Sequence, residues 1–274
     1  MATAAIPVNK AGLVASTAVI AKRTWLKFLR SPQLVVVGTV QGAMFLLIFR
    51  YVFGGAIRSG GVGAGGTLNY VNFLVPGFIT TGLIFGGMSA AAGIAEDREL
   101  GFFDRLRSLP IPRSAVLGGR ALADTATQVW GLIIMAVIGF AVGFRLGGSI
   151  GEALLAFALL ILYGFVLEWV FITLGFFSAN AQAAQGMSLL LIPFTFISSA
   201  FVPVESMPSG LQAIAEHQPI TYMIDSVRTL TLGAEAEALL GHSSSYYVIR
   251  SLAWSIPIIV VFAAISIARF RRGA

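Results

Sequence analysis

Residues able to carry chemistry are sparse in this chain. It holds 18 Lys and Arg, 12 Asp and Glu, two His and no Cys among 274 residues. Without cysteine there is no disulfide, no thiolate nucleophile and no thiolate metal site. His217 and His242 fall outside the apolar runs and lack ligand-like spacing, so they read as loop residues. The exception is Glu168, which sits beside Trp169 in the middle of an apolar run. A carboxylate in hydrocarbon is costly, so an ionisable residue there is a functional candidate. Glu168 could face a substrate path or a proton relay. It could equally be hydrogen-bonded within a helix bundle, or protonated, with a packing role only. Gln41, Gln128 and Gln185 are candidates for hydrogen bonds between helices.

The densest charge cluster runs from Glu96 to Arg113: Glu96, Asp97, Arg98, Glu99, Asp104, Arg105 and Arg107 surround Phe102, Phe103 and Leu106. Aromatic anchors among charges of both signs suit a docking surface. The plainer reading is a charged loop whose charges keep it out of lipid. Nucleotide chemistry finds no support. Gly61-Val62-Gly63-Ala64-Gly65-Gly66 fits a dinucleotide fingerprint by letter, but it lacks the flanking strand and helix and the acidic residue about 20 positions on. It reads as an external loop. No Gly-Lys dipeptide exists, so a Walker-type phosphate loop is excluded.

The elements that position these residues belong to lipid. Charged residues make up 11% of the chain, against about 25% in soluble domains, and mean hydropathy is +0.87. One globular core cannot hide that much apolar surface. Six runs reach the ~20 residues a spanning helix needs: about 34–53, 71–95, 115–144, 153–177, 183–202 and 247–268. They do not alternate as barrel strands do. The basic residues set the orientation. With both termini cytoplasmic, 13 of the 18 Lys and Arg lie inside and five outside. The net charge of +6 is thereby accounted for without nucleic acid. The fold expected is all-α, with six transmembrane helices in a single permease domain covering 1–274. Gly38 and Gly42, Gly82 and Gly86, and Gly139 and Gly143 are pairs four apart that let helix backbones approach closely.

Two segments flank the spans. Residues about 12–30 form an amphipathic interfacial helix, with Arg23, Lys27 and Arg30 on one face and Val14, Ala18, Ala21, Trp25 and Phe28 on another. Ser31-Pro32 then interrupts it. Residues about 203–246 are broken by Pro203, Pro208 and Pro219 into short external helices before the last span.

The stretch Glu96 to Arg120, with its acidic-basic run and the step from Leu106 to Pro110, resembles the signature of type-2 ATP-binding-cassette exporter permeases. Phe201 to Pro208, and Gln218-Pro219-Ile220-Thr221-Tyr222 with Asp225 and Arg228, resemble that family's block before its last span. Similarity is greatest to the daunorubicin-resistance group of drug-efflux permeases. The resemblance implies a multi-pass bacterial inner-membrane protein with both termini cytoplasmic. It implies two permease copies, as a homodimer or a heterodimer with a related permease, and two separate ATPase subunits that bind the ATP and Mg. The chain would hold no cofactor or metal and would catalyse nothing itself. Carried to this sequence, the ATPase-coupling interface comprises Glu96, Asp97, Arg98, Glu99, Phe102, Phe103 and Arg105. The interfacial helix adds Arg23, Trp25, Lys27 and Arg30. Pro203, Glu205, Pro219, Tyr222 and Arg228 belong to the segment that helps close the exit. Gly101-Phe102-Phe103 departs from the small or Thr residues usual there.

The expectation is thus an exporter of amphipathic drugs or lipid-like molecules, of the kind that gives antibiotic resistance, driven by a partner ATPase. The rival from another class is a proton-coupled secondary transporter using Glu168, with no ATPase. Six spans and one central carboxylate without an evident inverted repeat speak against it.

Overall fold

The computed structural model describes residues 13–29, 32–53, 69–107 and 113–272. Arg30 and the loop Gly61 to Gly66 lie outside the described residues, as does the Lys27 side chain. The described chain is all-helical. In order it forms α1 (Leu13–Leu29), α2 (Pro32–Ile48) continuing into a π turn (Phe49–Phe53), α3 (Tyr70–Glu99), α4 (Phe102–Arg107), α5 (Arg113–Ala141), α6 (Ile150–Phe177), α7 (Ala181–Leu189) and α8 (Ile192–Phe196). A 3₁₀ turn (Val204–Ser206), α9 (Ser209–His217), α10 (Pro219–Leu232), α11 (Ala234–Leu240) and α12 (Ser244–Arg272) follow. Four of these helices, within α3, α5, α6 and α12, are long and apolar enough to cross a membrane.

Local chemistry explains the helix ends. Asn69 caps α3 by accepting from the Val71 N–H. Ser149 and Glu152 form a reciprocal capping box at the start of α6, which satisfies two N–H groups that otherwise lack partners. The fifth apolar run is not the continuous span its composition suggests. It divides at Leu190–Leu191, just before Pro193, into α7 and α8, and residues 197–202 are not helical. Pro193 at the start of α8 supplies no N–H to the turn before it, so the helix cannot run through. Past Pro193, where α8 ends at Phe196, other groups take up the carbonyls left without helical partners. Gln218 Nε2 donates to Phe194 O at 3.1 Å and also to Ile197 O, and Arg228 Nη2 donates to Ser199 O at 2.6 Å. Irregular backbone at depth is tolerated when protein satisfies it in this way.

The bundle centres on α3 and α6, which pack along each other, with α5, α10 and α12 around them. Glycines set the close approaches. Gly87 of α3 leaves space that the Phe171 ring of α6 fills. A Cβ at Gly175 of α6 would stand 2.6 Å from the Ala91 carbonyl of α3. Of the pairs singled out in the sequence, Gly139 packs against Val75 and Gly42 against Met135, while Gly82 faces open space. Gly143 serves a turn at φ +106° rather than a helix contact. The N-terminal helix α1 lies against α5, where Gly119 allows the Thr17 carbonyl to approach. Its buried residues there are Ser16 and Ile20, while Ala18 and Val19 are exposed. Of the apolar face read by periodicity, Ala18 is exposed and Ala21 and Trp25 are half-buried, while the Val14 and Phe28 side chains lie outside the described residues.

Candidate functional site

At one end of the bundle the expected coupling segment and α1 come together. Backbone bonds from Leu100 N–H to Glu96 O (3.0 Å) and from Gly101 N–H to Arg98 O (3.0 Å) close α3. Gly101 then turns the chain at φ +63°, a conformation that costs glycine nothing. The short α4 that follows lies under α1. The Arg23 guanidinium stands 3.9 Å from the centroid of the Phe102 ring. Phe103, 3% exposed, points inward and meets Phe176 at 5.3 Å and Phe270 at 5.6 Å between ring centroids. The ends of α3, α6 and α12 are thus tied together through α4.

Residues assigned together by resemblance separate into two groups here. Glu96, Glu99 and Arg105 are exposed at this end. Asp97 is only 4% exposed and accepts from Arg120 Nη1 at 2.6 Å. Arg98 reaches across to the C-terminal end of α6, where its Nη1 donates to Phe176 O at 2.7 Å and its Nη2 to Ser178 O and to Ala179 O at 3.1 Å. A guanidinium at a helix C-terminus satisfies carbonyls that have no N–H partner and complements the helix dipole. Leu100, between the two groups, is 66% exposed. Sequence reading did not single it out. Its position between Glu99 and the turn glycine Gly101 is the signal that could have done so. Trp25 is half-buried on α1.

A polar cluster lies deeper, between α3, α5 and α6. Glu168 is fully buried and accepts from Gln128 Nε2 at 3.0 Å. Arg120 bridges Asp124 (Nε to Oδ2, 2.5 Å) and Asp97. Gln128 was a sequence candidate for such a contact. Asp124 and Arg120 were not, because both fall at the basic, less apolar start of a long run.

At the opposite end one of the residues expected at the exit, Arg228, is the centre of a buried knot. Arg228, 0% exposed, donates Nη1 to Asp225 Oδ1 at 2.5 Å and Nε to Phe73 O at 3.2 Å, and its guanidinium stacks 3.8 Å from the Phe73 ring centroid. Ser199 Oγ donates to the same Asp225 oxygen at 2.7 Å. Burial pushes the Asp225 carboxyl up to about 6, although Arg228 beside it works in the other direction. Tyr222 is buried on α10, Pro219 begins that helix, Pro203 is half-buried, and Glu205 is exposed in the 3₁₀ turn. The hydrogen bonds of the knot come from Phe73, Ser199 and Asp225 rather than from Tyr222, Pro203 or Glu205, while the Glu205 charge acts on Asp225 and Arg228 from outside it.

Residues 15–232 match the family model described as ABC-2 type transporter. The chain is 30% identical over 212 residues to the daunorubicin resistance ABC transporter permease protein DrrB1 of Streptomyces coeruleorubidus, covering 77% of this chain and 73% of that protein. It is 25% identical over 201 residues to the probable doxorubicin resistance ABC transporter permease protein DrrC of Mycobacterium tuberculosis, covering 73% and 70%. It is also 25% identical over 214 residues to the putative transport permease ycf38 of Cyanophora paradoxa, covering 77% and 72%. With the matched region spanning α1 to α10 and both ends of the bundle, this multi-pass membrane chain belongs to the ABC-2 type transporter family of permeases.

Proposed function

We propose that this chain is the transmembrane subunit of an ATP-driven exporter that moves amphipathic drugs or lipid-like molecules out of the cell. A separate ATPase subunit binds ATP and Mg and docks against the end of the bundle that carries α1 and α4. A second permease copy, identical or related, completes the transport path. The chain crosses the bacterial cell membrane six times, α2 and the α7–α8 pair serving as the remaining spans, with both termini cytoplasmic.

One observation carries this reading. The segment 96–107 and the helix α1 converge through Arg23 and Phe102 on a single surface. The same α4 is wedged by Phe103 against the ends of α6 and α12. A push delivered there reaches two long helices at once, as a rigid-body switch requires. Names of the relatives favour drugs as cargo. The secondary-carrier alternative loses ground to the family assignment, because ABC-2 permeases draw energy from a separate ATPase subunit.

The test is affinity purification of the tagged chain from gently solubilised native membranes. An ATP-binding protein in about equal amount is the expected companion, and it should be lost when Leu100 and Arg105 are replaced by Asp and Glu. A chain that emerges alone, without ATP-dependent export of any amphipathic dye in cells, refutes the proposal.

A further inference from the structure

The buried cluster between α3, α5 and α6 has more negative than positive groups. Arg120 donates to Asp124 at 2.5 Å and to Asp97 at 2.6 Å. Asp124 lies one helical turn from Gln128, whose Nε2 donates to Glu168 at 3.0 Å across the α5–α6 contact, so the two carboxyls face each other. Two carboxyl groups therefore share one guanidinium, and the third, Glu168, has only Gln128 as a donor. Glu168 Oε1 has no donor, and neither has Gln128 Oε1, although both atoms are buried. The surroundings are tightly packed. A Cβ at Gly164 would stand 2.9 Å from Gln128 Oε1, and one at Gly93 would stand 2.5 Å from Arg120 Nη2. Among charged groups on helices packed against the cluster, Lys22 and Arg23 of α1 are exposed, and the buried Arg269 Nε of α12 has no hydrogen-bond partner. Arg269 of α12 lies over Phe177, Arg228 of α10 is held by Asp225, and α7 carries no charged side chain.

Two carboxylates facing each other out of water cannot both stay ionised, and one shared proton relieves the conflict. That proton would also turn an acceptor into the donor that this cluster lacks. We propose that Asp124 and Glu168 form an intramembrane proton-binding site that holds one shared proton while α5 and α6 are packed together. Arg120 is the positioning residue. Through Asp97, in the last turns of α3, it connects the site to the exposed tip at Glu99 and Leu100. Movement of that tip would shift Arg120 relative to Asp124. Parting α5 from α6 would admit water, let both carboxyls ionise and release the proton. Proton release would thus accompany the helix rearrangement, whatever its energy source.

The site is read on the purified full-length chain in lipid nanodiscs, with no partner and no cargo, so its failure is separate from failure of the exporter reading. At about pH 7, free Asp and Glu are ionised. Infrared absorption of the wild type should nevertheless contain the carbonyl stretch of a protonated carboxylic acid. Glu168→Gln should remove it, and Asp124→Asn should remove or shift it. Glutamine mimics the protonated carboxyl, so Glu168→Gln should also keep the parent melting temperature. Should either variant fail to fold, wild type grown with carboxyl-labelled glutamate or aspartate answers alone, because the label must shift the band. A wild type with no such band at neutral pH, or a band untouched by both substitutions and both labels, overturns the proposal.

Discussion

The Arg23 guanidinium rests 3.9 Å from the centre of the Phe102 ring, joining α1 to α4 across a stretch of chain that includes α2 and α3. A cation over an aromatic face is worth about 0.5–1 kcal/mol at an exposed site. Arg23→Ala and Phe102→Ala should each weaken export in cells without lowering the amount of inserted protein. Their double variant should be no worse than about the larger single effect, with a coupling of about 0.5–1 kcal/mol. Full additivity in a dye-efflux assay would mean that the two residues act separately.

Exposed and buried members of the coupling segment should fail in different ways. Leu100→Asp alters the surface, so it should lower recovery of a partner ATPase about tenfold while the permease melts as before. Phe103→Ala empties an aromatic nest shared with Phe176 and Phe270. Truncating a buried Phe costs about 3–5 kcal/mol. That variant should melt lower and accumulate poorly, and thermal melting in detergent beside partner recovery separates the two classes.

Arg98 holds three carbonyls at the end of α6. Hydrogen bonds from a charged donor are worth about 1.5–3 kcal/mol each, so Arg98→Ala should destabilise the bundle and fray the C-terminal turn of α6. Arg98→Lys should recover only part of the loss, because an ammonium cannot span the same fork. Hydrogen exchange at residues 176–179 checks this directly, since faster exchange confined to that turn is the expected signature.

How much of this was legible in the sequence depends on the kind of signal. Apolar length located α3, α5, α6 and α12, because lipid imposes one requirement along a whole segment. It did not locate the break at Leu190–Leu191, just before Pro193, or the irregular stretch at and after the end of α8, whose carbonyls accept from the distant Gln218 and Arg228. Charge density pointed to residues 96–113 but could not sort them. Asp97 and Glu99 look alike by composition, yet one turns in to Arg120 and the other outward. Glu168 was visible as an anomaly, whereas its neighbours Asp124 and Arg120 were not, since the cluster exists only after α5 and α6 are packed. The resemblance placed Arg228 in the exit segment, and only the structure gives it Phe73, Ser199 and Asp225 as partners.

That last set yields a prediction with a defined sign. Removing one member of a buried ion pair costs about 3–5 kcal/mol, while replacing both by apolar groups is often close to neutral. Arg228→Met should therefore melt far below the wild type, and Arg228→Met with Asp225→Leu should recover much of the loss. The pH dependence follows from burial. Burial pushes the Asp225 carboxyl from 3.8 up to about 6 in the folded chain. Between those values the folded state holds a proton that the unfolded chain has released. This group's contribution to stability is thus full below about pH 4 and is lost as pH rises through 6. Asp225→Asn removes the titration. The difference in melting temperature between wild type and Asp225→Asn, followed from about pH 4 to 7, should change in favour of the variant as pH rises. A difference that stays constant over that range would mean that Asp225 remains ionised throughout, held by Arg228 and Ser199 more strongly than burial opposes it.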